Sequence, residues 1–373
     1  NLTMNLLFLM NAYKGTLTSI EMNSILASHF SKDKSESIPF SDGGDGFLDM
    51  IEALYPTSEK SKVEVTIHSP YLGKERKATY IILEDKAYIE SASAIGYRLE
   101  ERKDVLHATS YPLGEMIMDA IRHHVHEIYV GLGGSITNDM GSGMMEAMGA
   151  VFYDKNHCLI HPKGNNLNKI AEMDIEGLKT RNIKIHILSD VTNPLLGQNG
   201  ATYVYAKQKG AKEGDLPQLE SGMKKLSLLY IRSAKKDYSE EKGAGAAGGI
   251  SMAFLSFFDS DILSGTDYLL SREEIKKLIK KADVIFTGEG RMDSSSLDGK
   301  GSILVLKKRD ELKSDAKIVF LVGSIEEKTK ERILHEYSNL KIVEMMDNAI
   351  SYPIEERKSK AMEIFEKTIS MNL

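Results

Sequence analysis

Four short apolar segments of this chain run directly into loops of small residues and carboxylates. The segments and their loops are Val284–Phe286 before 287–293, Ile128–Val130 before 131–139, Ile185–Leu188 before 189–194, and Pro39-Phe40 before 41–46. In open α/β sheets, chemistry takes place where loops leave the carboxyl ends of parallel strands. The repeated design therefore predicts an α/β fold whose strand ends form an active-site edge.

Strand, loop and helix alternate near both ends of the chain, whereas the middle follows another pattern. From Lys62 to Glu90, alternating apolar residues predict an antiparallel meander. From Leu216 to Ser271 the pattern is helical, apart from the glycine run 243–249. Near the N-terminus, Thr18 and Glu21 form a capping-box pattern that predicts a helix from about Ser19 to Ser31.

This organisation predicts two α/β domains. A chain of 373 residues exceeds the size at which one core usually stops growing. Because the two ends share one style, we predict that residues 1–62 and 281–373 form a discontinuous Rossmann-like domain. Residues 63–280 are then a second, mixed α/β domain inserted into the first.

Composition excludes several classes of protein. The net charge is −6 and the isoelectric point is near 6.0, so we expect no nucleic-acid partner, which would require clustered Lys and Arg. No apolar run approaches the roughly 20 residues that span a bilayer, so we expect no membrane insertion. The single cysteine, Cys158, fits a reducing compartment, and we expect a cytoplasmic protein. We expect Met4 to be the natural first residue and residues 1–3 to be an addition.

The run Gly243-Ala244-Gly245-Ala246-Ala247-Gly248 matches the dinucleotide-binding fingerprint in its letters. Its context differs, because the charged residues 235–242 before it have a helical pattern and no strand precedes it. The run therefore indicates a glycine-rich helix start that packs closely or accepts a phosphate. A nicotinamide-dependent dehydrogenase of a hydroxy acid is an alternative that only this run supports.

The loop from Gly131 to Asp139 is the most specific anion-binding pattern. Consecutive small residues at Gly133, Gly134 and Ser135 allow backbone N–H groups to point into one concavity, a nest suited to anions. Asn138 and Asp139 then open the next helix, where Asp139 could cap the helix or hold a cation.

The strand ends also supply carboxylates and cations. Acid clusters bind Mg²⁺ or take a proton from a hydroxyl group. Lys14 and Arg291 are the cations best placed to meet a phosphate or a carboxylate. Together, these groups are what phosphoryl transfer requires. The five carboxylates at the strand ends are Asp42, Asp45, Asp190, Glu289 and Asp293.

The same segments, in this order, resemble the bacterial type I glycerate kinase family over nearly the whole chain from Met4. Three single residues and one pair differ from the family's usual residues: Asn11, Asp45, Met140 and the pair Gly301-Ser302. The segments that carry the resemblance are Lys14 to Leu17, Ser41 to Gly46, Gly133 to Ser135 with Asn138-Asp139, Asp190 to Gly197, Lys207 to Ala211, Gly243 to Gly245, and Thr287 to Asp293 with Gly299-Lys300.

The resemblance implies phosphorylation of D-glycerate with ATP and Mg²⁺, in a cleft between two α/β domains. It implies 2-phosphoglycerate as the usual product, although 3-phosphoglycerate is often named. For this reaction we expect substrate or phosphate to be bound by Gly133, Gly134, Ser135, Asn138, Lys209, Gly288 and Glu289.

For such a reaction we expect Asp190 to be the general base, since it ends a strand and precedes the rigid Asn193-Pro194 turn. The alternative is that Asp190 only accepts backbone N–H bonds that hold its loop. Asp42 and Asp293 lie in small-residue loops that could admit a hydrated Mg²⁺ ion. A non-catalytic binder of small carboxylates is a further alternative, and we expect a monomer or a homodimer.

Overall fold

The computed structural model describes residues 2–56, 58–178, 182–299 and 301–373. Its strands, in chain order, are β1 (Asn5–Met10), β2 (Lys34–Ser37), β3 (Lys60–His68), β4 (Glu75–Leu83), β5 (Lys86–Glu90), β6 (Glu127–Gly131), β7 (Val151–Tyr153), β8 (Leu159–Ile160), β9 (Glu172–Asp174), β10 (Lys184–Leu188), β11 (Asp259–Leu263), β12 (Val284–Gly288), β13 (Arg291–Met292), β14 (Lys317–Val322), β15 (Ser324–Ile325) and β16 (Leu340–Glu344).

The helices connect these strands in the alternating order that a parallel sheet requires. They are α1 (Ser19–His29), α2 (Phe47–Leu54), α3 (Ala92–Ile95), α4 (Tyr111–Arg122), α5 (Ser142–Ala147), α6 (Ala201–Tyr205), α7 (Leu216–Ala234), α8 (Ala246–Phe257), α9 (Gly265–Leu270), α10 (Glu273–Lys281), α11 (Ile303–Glu311), α12 (Glu327–Glu336) and α13 (Ile354–Asn372).

The first of two compact units contains both chain ends. It comprises Asn1–Asp42, Asp49–Pro56 and Ser264–Leu373. Its five-stranded sheet has the order β16-β14-β12-β1-β2, and every pairing is parallel. The side chains of the central strands are buried on both faces, as expected when helices cover a parallel sheet. The Rossmann-like character predicted for the two ends of the chain is therefore confirmed.

The second unit comprises Gly43–Leu48 and Thr57–Leu263. Its six-stranded sheet has the order β11-β10-β6-β5-β4-β3, in which β11, β10, β6 and β5 are parallel and β4 and β3 antiparallel. This mixed sheet confirms the predicted fold class, and its antiparallel edge contains the predicted meander. The domain boundaries drawn at residues 62 and 280 stay a prediction.

Two features of the second unit differ from the sequence analysis. The segment 216–271 is not helical throughout, because β11 pairs in parallel with β10 in its middle. Its sequence Asp259-Ser260-Asp261-Ile262-Leu263 lacks the apolar run of a central strand, and only its pairing partner makes it a strand. A small antiparallel sheet, β8-β7-β9, was also not predicted, because its strands have only two or three residues.

Local signals are confirmed where they are strong. Thr18 Oγ1 accepts the N–H of Glu21 at 3.1 Å, and Glu21 Oε1 accepts the N–H of Thr18 at 3.0 Å. This is the predicted capping box of α1, and it satisfies two N–H groups that the helix start leaves without a partner.

Candidate active site

In the first unit, β1 and β12 end side by side, with Met10 opposite Gly288. Gly288 has φ +152°, and a Cβ there would lie 1.7 Å from the carbonyl oxygen of Leu321. Only glycine therefore fits at this strand end. The backbone oxygen of Gly288 accepts the N–H of Asn11 at 3.1 Å and the hydroxyl of Ser302 at 2.9 Å. Packing explains Gly288, and its predicted contact with a ligand stays a prediction.

Glu289 follows directly and is half-buried beside the start of α11. Its Oε1 accepts the backbone N–H of Ser302 at 3.2 Å. Burial raises the pKa of Glu289 to about 7, while the Ser302 N–H and the charge of Lys14 lower it and the charge of Asp42 raises it further. A carboxyl group with this pKa changes its charge near neutral pH, which is common among functional groups.

Lys14 and Asp42 lie near Glu289 in the same unit, as these electrostatic effects show. Lys14 is exposed in the turn that follows β1, next to the buried ring of Tyr13. Asp42 is half-buried, and its backbone lies against Gly265, the first residue of α9. The segments after β1 and β12 thus lie near Asp42, which follows an isolated bridge between Phe40 and Asn11 where the sequence predicts a strand end, and one cation and two carboxylates come together.

Arg291 and Asp293 lie farther along the same loop. Arg291 is exposed in the short strand β13, which pairs in parallel with β15. Asp293 caps the turn 294–297, because its Oδ1 accepts both the backbone N–H and the hydroxyl of Ser295. These hydrogen bonds, chiefly that from the Ser295 hydroxyl, lower the pKa of Asp293. One oxygen of this predicted metal ligand is therefore already occupied.

In the second unit, the predicted anion loop follows β6. Gly133 packs against the backbone of Gly44, and the carbonyl oxygen of Gly134 accepts the N–H of Tyr97 at 2.7 Å. Gly134 has φ +62°, and a Cβ there would meet no atom within 4 Å. Ser135 is 3% exposed. The loop is therefore held at its sides and open above Gly134.

Asp139 holds the end of this loop. It is fully buried, and its carboxylate accepts the N–H and the hydroxyl of Ser110, both at 2.8 Å, and the N–H groups of Gly141 at 3.1 Å and Gly143 at 3.2 Å. Burial raises the pKa of Asp139, while these hydrogen bonds oppose the shift. Of the two roles that the sequence left open, the hydrogen bonds favour capping.

Lys209 reaches the loop from the segment after α6. Its Nζ donates to Ser135 Oγ at 3.1 Å and to the carbonyl oxygen of Thr137 at 2.7 Å, and the residue is 8% exposed. Burial lowers the pKa of Lys209 to about 7, although the charge of Asp139 opposes the shift. Since both described contacts go to the protein, Lys209 holds the shape of the loop.

Asn138 lies on the buried side of the loop and is 1% exposed. Its Nδ2 donates to Thr202 Oγ1 at 2.9 Å, whereas its Oδ1 is buried and has no hydrogen-bond partner. Thr137 Oγ1 is likewise buried without a partner. Unpaired buried oxygens are costly, so this part of the loop has polar capacity that the protein itself does not use.

Replacing Lys209 with Met should remove a pH dependence of stability. The folded-state pKa, about 7, lies below the ordinary value of 10.5, so the unfolded chain binds more protons between these values. The unfolding free energy of the wild type should therefore rise with pH from 7 to 10 relative to that of the variant. Denaturant titrations at pH 7, 8, 9 and 10 measure the difference; parallel pH profiles would contradict it.

Gly134→Val should weaken anion binding without unfolding the protein. The left-handed backbone at Gly134 costs an L-residue about 1–2 kcal/mol, and the branched side chain would occupy the open space above the loop. Gly134→Asn is the control for strain, because Asn tolerates this backbone conformation. Nucleotide titration followed by calorimetry, with circular dichroism for folding, decides the matter. Wild-type affinity in the folded Val variant would refute a role for this loop.

Asp190 follows β10, whose end lies opposite Gly131 in the neighbouring strand. The residue is half-buried. The loop beyond it is well fixed, since Asn193 Oδ1 accepts the hydroxyl of Tyr205 at 2.9 Å and the Asn193 backbone oxygen accepts the N–H of Gly245 at 3.0 Å. These contacts fix the loop at Asn193, whereas the turn predicted at Asn193-Pro194 is absent and the turn of this loop lies at Gln198-Asn199.

The predicted residues therefore form two sets. One set lies in the first unit, after β1, after Phe40 and at or beyond the end of β12: Lys14, Asp42, Gly288, Glu289, Arg291 and Asp293. The second set lies in the second unit after β6 and β10, with Lys209 reaching the loop from beyond α6: Gly133, Gly134, Ser135, Asn138, Asp190 and Lys209.

Ser302 contacts both Gly288 and Glu289, although it was not predicted to be a site residue. The signal available in the sequence was the pair Gly301-Ser302, where the chain differs from the family's usual residues. Asp45, one of the five predicted carboxylates, pairs with Arg98 at 3.1 Å on the surface of the second unit. Lys300, at the end of the last family motif, lies outside the described residues.

The described residues can be compared with what a magnesium ion requires. Among them, no group of three or more His, Cys, Asp or Glu side chains is arranged to hold a metal ion. Mg²⁺ in kinases is usually bound through one or two carboxylates, with substrate phosphates and water as the other ligands. The carboxylates near the end of β12 meet that smaller requirement.

The family to which this chain belongs follows from its similarity to known proteins. The profile of the glycerate kinase family matches residues 6–370. The chain belongs to the glycerate kinase family. It is therefore an enzyme, a phosphotransferase whose acceptor is an alcohol group.

Individual members of the glycerate kinase family agree with this assignment. The chain is 33% identical to a glycerate 2-kinase of Escherichia coli over 78% of each chain. It is 29% identical to a glycerate kinase of Bacillus subtilis, over 98% of this chain and 96% of the relative. A crystal structure described as glycerate kinase 2 from Salmonella typhimurium superposes with a TM-score of 0.74 at 27% identity, covering 99% and 97% of the two chains.

In this member of the glycerate kinase family, the glycine run 243–248 does not lie in the strand-to-helix turn of a dinucleotide-binding fold. It follows helix α7 and a loop instead of a strand, and Gly245 packs against the carbonyl group of Pro194. Gly248 packs in the same way against the backbone of Thr137. The run thus joins the loop after β6 to the loop after β10, which confirms the close-packing interpretation.

Among the described residues, no helix is both long enough and apolar enough to span a bilayer.

Proposed function

We propose that this enzyme transfers the γ-phosphoryl group of ATP to the 2-hydroxyl group of D-glycerate, with Mg²⁺. The observation that carries the regiochemistry is the 33% identity to a relative named glycerate 2-kinase over 78% of each chain. The carboxylates, cations and anion loop described above are the groups that phosphoryl transfer requires.

In this proposal the charged substrate groups are bound by cations and backbone amides. Lys14 and Arg291, both exposed, neutralise the glycerate carboxylate or a phosphate group. The backbone amides of Gly133, Gly134 and Ser135 contact an anion. Lys209 keeps the loop in shape through Ser135 Oγ.

Asp190 takes the proton from the glycerate hydroxyl as the phosphoryl group arrives, because an alcohol is a poor nucleophile until it loses its proton. Asp42 and Asp293 would hold Mg²⁺, which neutralises charge on the phosphates when bound. The position of Asp42 near Lys14 and Glu289 supports this assignment.

Coupled release of ADP in the presence of D-glycerate tests the activity, with L-glycerate and glycerol as controls. Phosphorus NMR of the product then identifies the hydroxyl group. A phosphate on C2 couples to one carbon-bound proton and gives a doublet, whereas a phosphate on C3 couples to two and gives a triplet. A triplet would refute the 2-phosphoglycerate assignment and leave the kinase assignment intact.

A further inference from the structure

A cationic cavity lies in the second unit, apart from the residues that the proposed reaction uses. Its volume is about 380 Å³, within the range of small-molecule sites. Four basic side chains line it, Arg102, His107, His161 and Lys163, together with the carboxylate of Asp104.

Three of the basic groups, Arg102, His107 and His161, are held in place by contacts with neighbouring side chains. The Arg102 guanidinium lies 4.7 Å above the ring of Tyr71, and its Nη2 is 3.5 Å from Asp104 Oδ2. His107 Nδ1 is 2.9 Å from the same Asp104 oxygen. His161 Nδ1 is 2.7 Å from Oε2 of Glu146, a residue that does not line the cavity. Such contacts orient the side chains before a ligand arrives.

We propose that this cavity binds a small anion of the phosphate or phosphate-monoester class and thereby affects the anion loop after β6, residues 131–139. The fixed charges of the lining are the cations Arg102 and Lys163 against one carboxylate, Asp104, so its balance is positive before either imidazole is protonated. Arginine offers a planar fork of N–H donors to phosphate oxygens, and lysine offers a point charge.

A short segment of chain, residues 104–110, connects the cavity with Asp139 and Lys209, the two residues that hold the anion loop. Thr109 lines the cavity, and the next residue, Ser110, donates two hydrogen bonds of 2.8 Å to Asp139 at the end of the loop. At the other end of the segment, the N–H of Val105 donates to the backbone oxygen of Lys209 at 3.1 Å. An anion that shifts residues 104–109 therefore acts on both residues that shape the loop.

Calorimetric titration with inorganic phosphate, in the presence of saturating ADP to fill the catalytic phosphate sites, measures binding to the cavity. Arg102→Gln and Lys163→Gln should each weaken binding by about tenfold or more, because each removes a charge-assisted contact. Lys155→Gln, which removes an equal charge from an exposed turn of the same unit, should leave binding unchanged. Chloride at matched ionic strength controls for screening.

Steady-state kinetics measure the coupling. Phosphate should change the KM for D-glycerate by about fivefold or more in the wild type and in Lys155→Gln, and not in Arg102→Gln or Lys163→Gln. Equal phosphate affinity in all four proteins, or an equal loss in the Lys155 variant, overturns the site. Binding without any change in KM overturns its effect on the loop. Since calorimetry needs no turnover, failure of the proposed reaction would not be mistaken for failure of the site.

Discussion

Replacing Asp190 with Asn should lower kcat by roughly 10²-fold or more while the KM for D-glycerate changes little. The substitution keeps the shape of the side chain and removes its ability to take a proton. The hydrogen bonds that Asn193 accepts from Tyr205 and Gly245 should keep the loop in place, so the loss would be chemical. Initial rates by coupled ADP release, with D-glycerate and ATP varied in turn, give both constants.

The control is Asp259→Asn, an exposed aspartate at the amino end of β11, the strand beside β10. This variant should have wild-type kinetics. Near-normal turnover in Asp190→Asn would show that Asp190 only holds its loop. The base would then be reassigned, first to Asp42 and next to Glu289, whose pKa of about 7 also suits proton transfer at neutral pH.

Arg291→Ala should lower kcat/KM by roughly 10- to 150-fold, since a hydrogen bond to a charged group contributes about 1.5–3 kcal/mol. Arg291 is exposed and held by the pairing of β13 with β15, so its loss should not unfold the unit. Lys14→Met should have an effect of the same size, because Lys14 is the other exposed cation that we propose to bind substrate charge.

Arg332→Ala on α12 is the matched control, because Arg332 is an exposed arginine of the same unit. It should leave both Michaelis constants unchanged. Thermal unfolding of each variant separates lost binding from lost stability. If Arg291→Ala kept its turnover and both Michaelis constants, a role in binding substrate charge would be wrong.

Elements with strong local signals could be predicted closely from the sequence. Helix α1 begins at the predicted Ser19, because Thr18 and Glu21 cap it through contacts three residues apart. Strand β12 spans Val284–Gly288 and includes the predicted apolar segment Val284–Phe286, since a buried parallel strand is a continuous apolar run. The edge strand β11 could not be predicted, because its polar residues become a strand only through pairing with β10.

The candidate site divides in the same way. That acids, glycines and cations follow strand ends is a property of the sequence, because the order of a strand and its loop is written along the chain. What these residues do depends on partners far away in sequence. Lys209 Nζ reaches Ser135 across 74 positions, and burial at that contact lowers its pKa to about 7. Glu289 likewise obtains its raised pKa from burial beside Ser302 and α11, and desolvation and long-range hydrogen bonds exist only once the chain has folded.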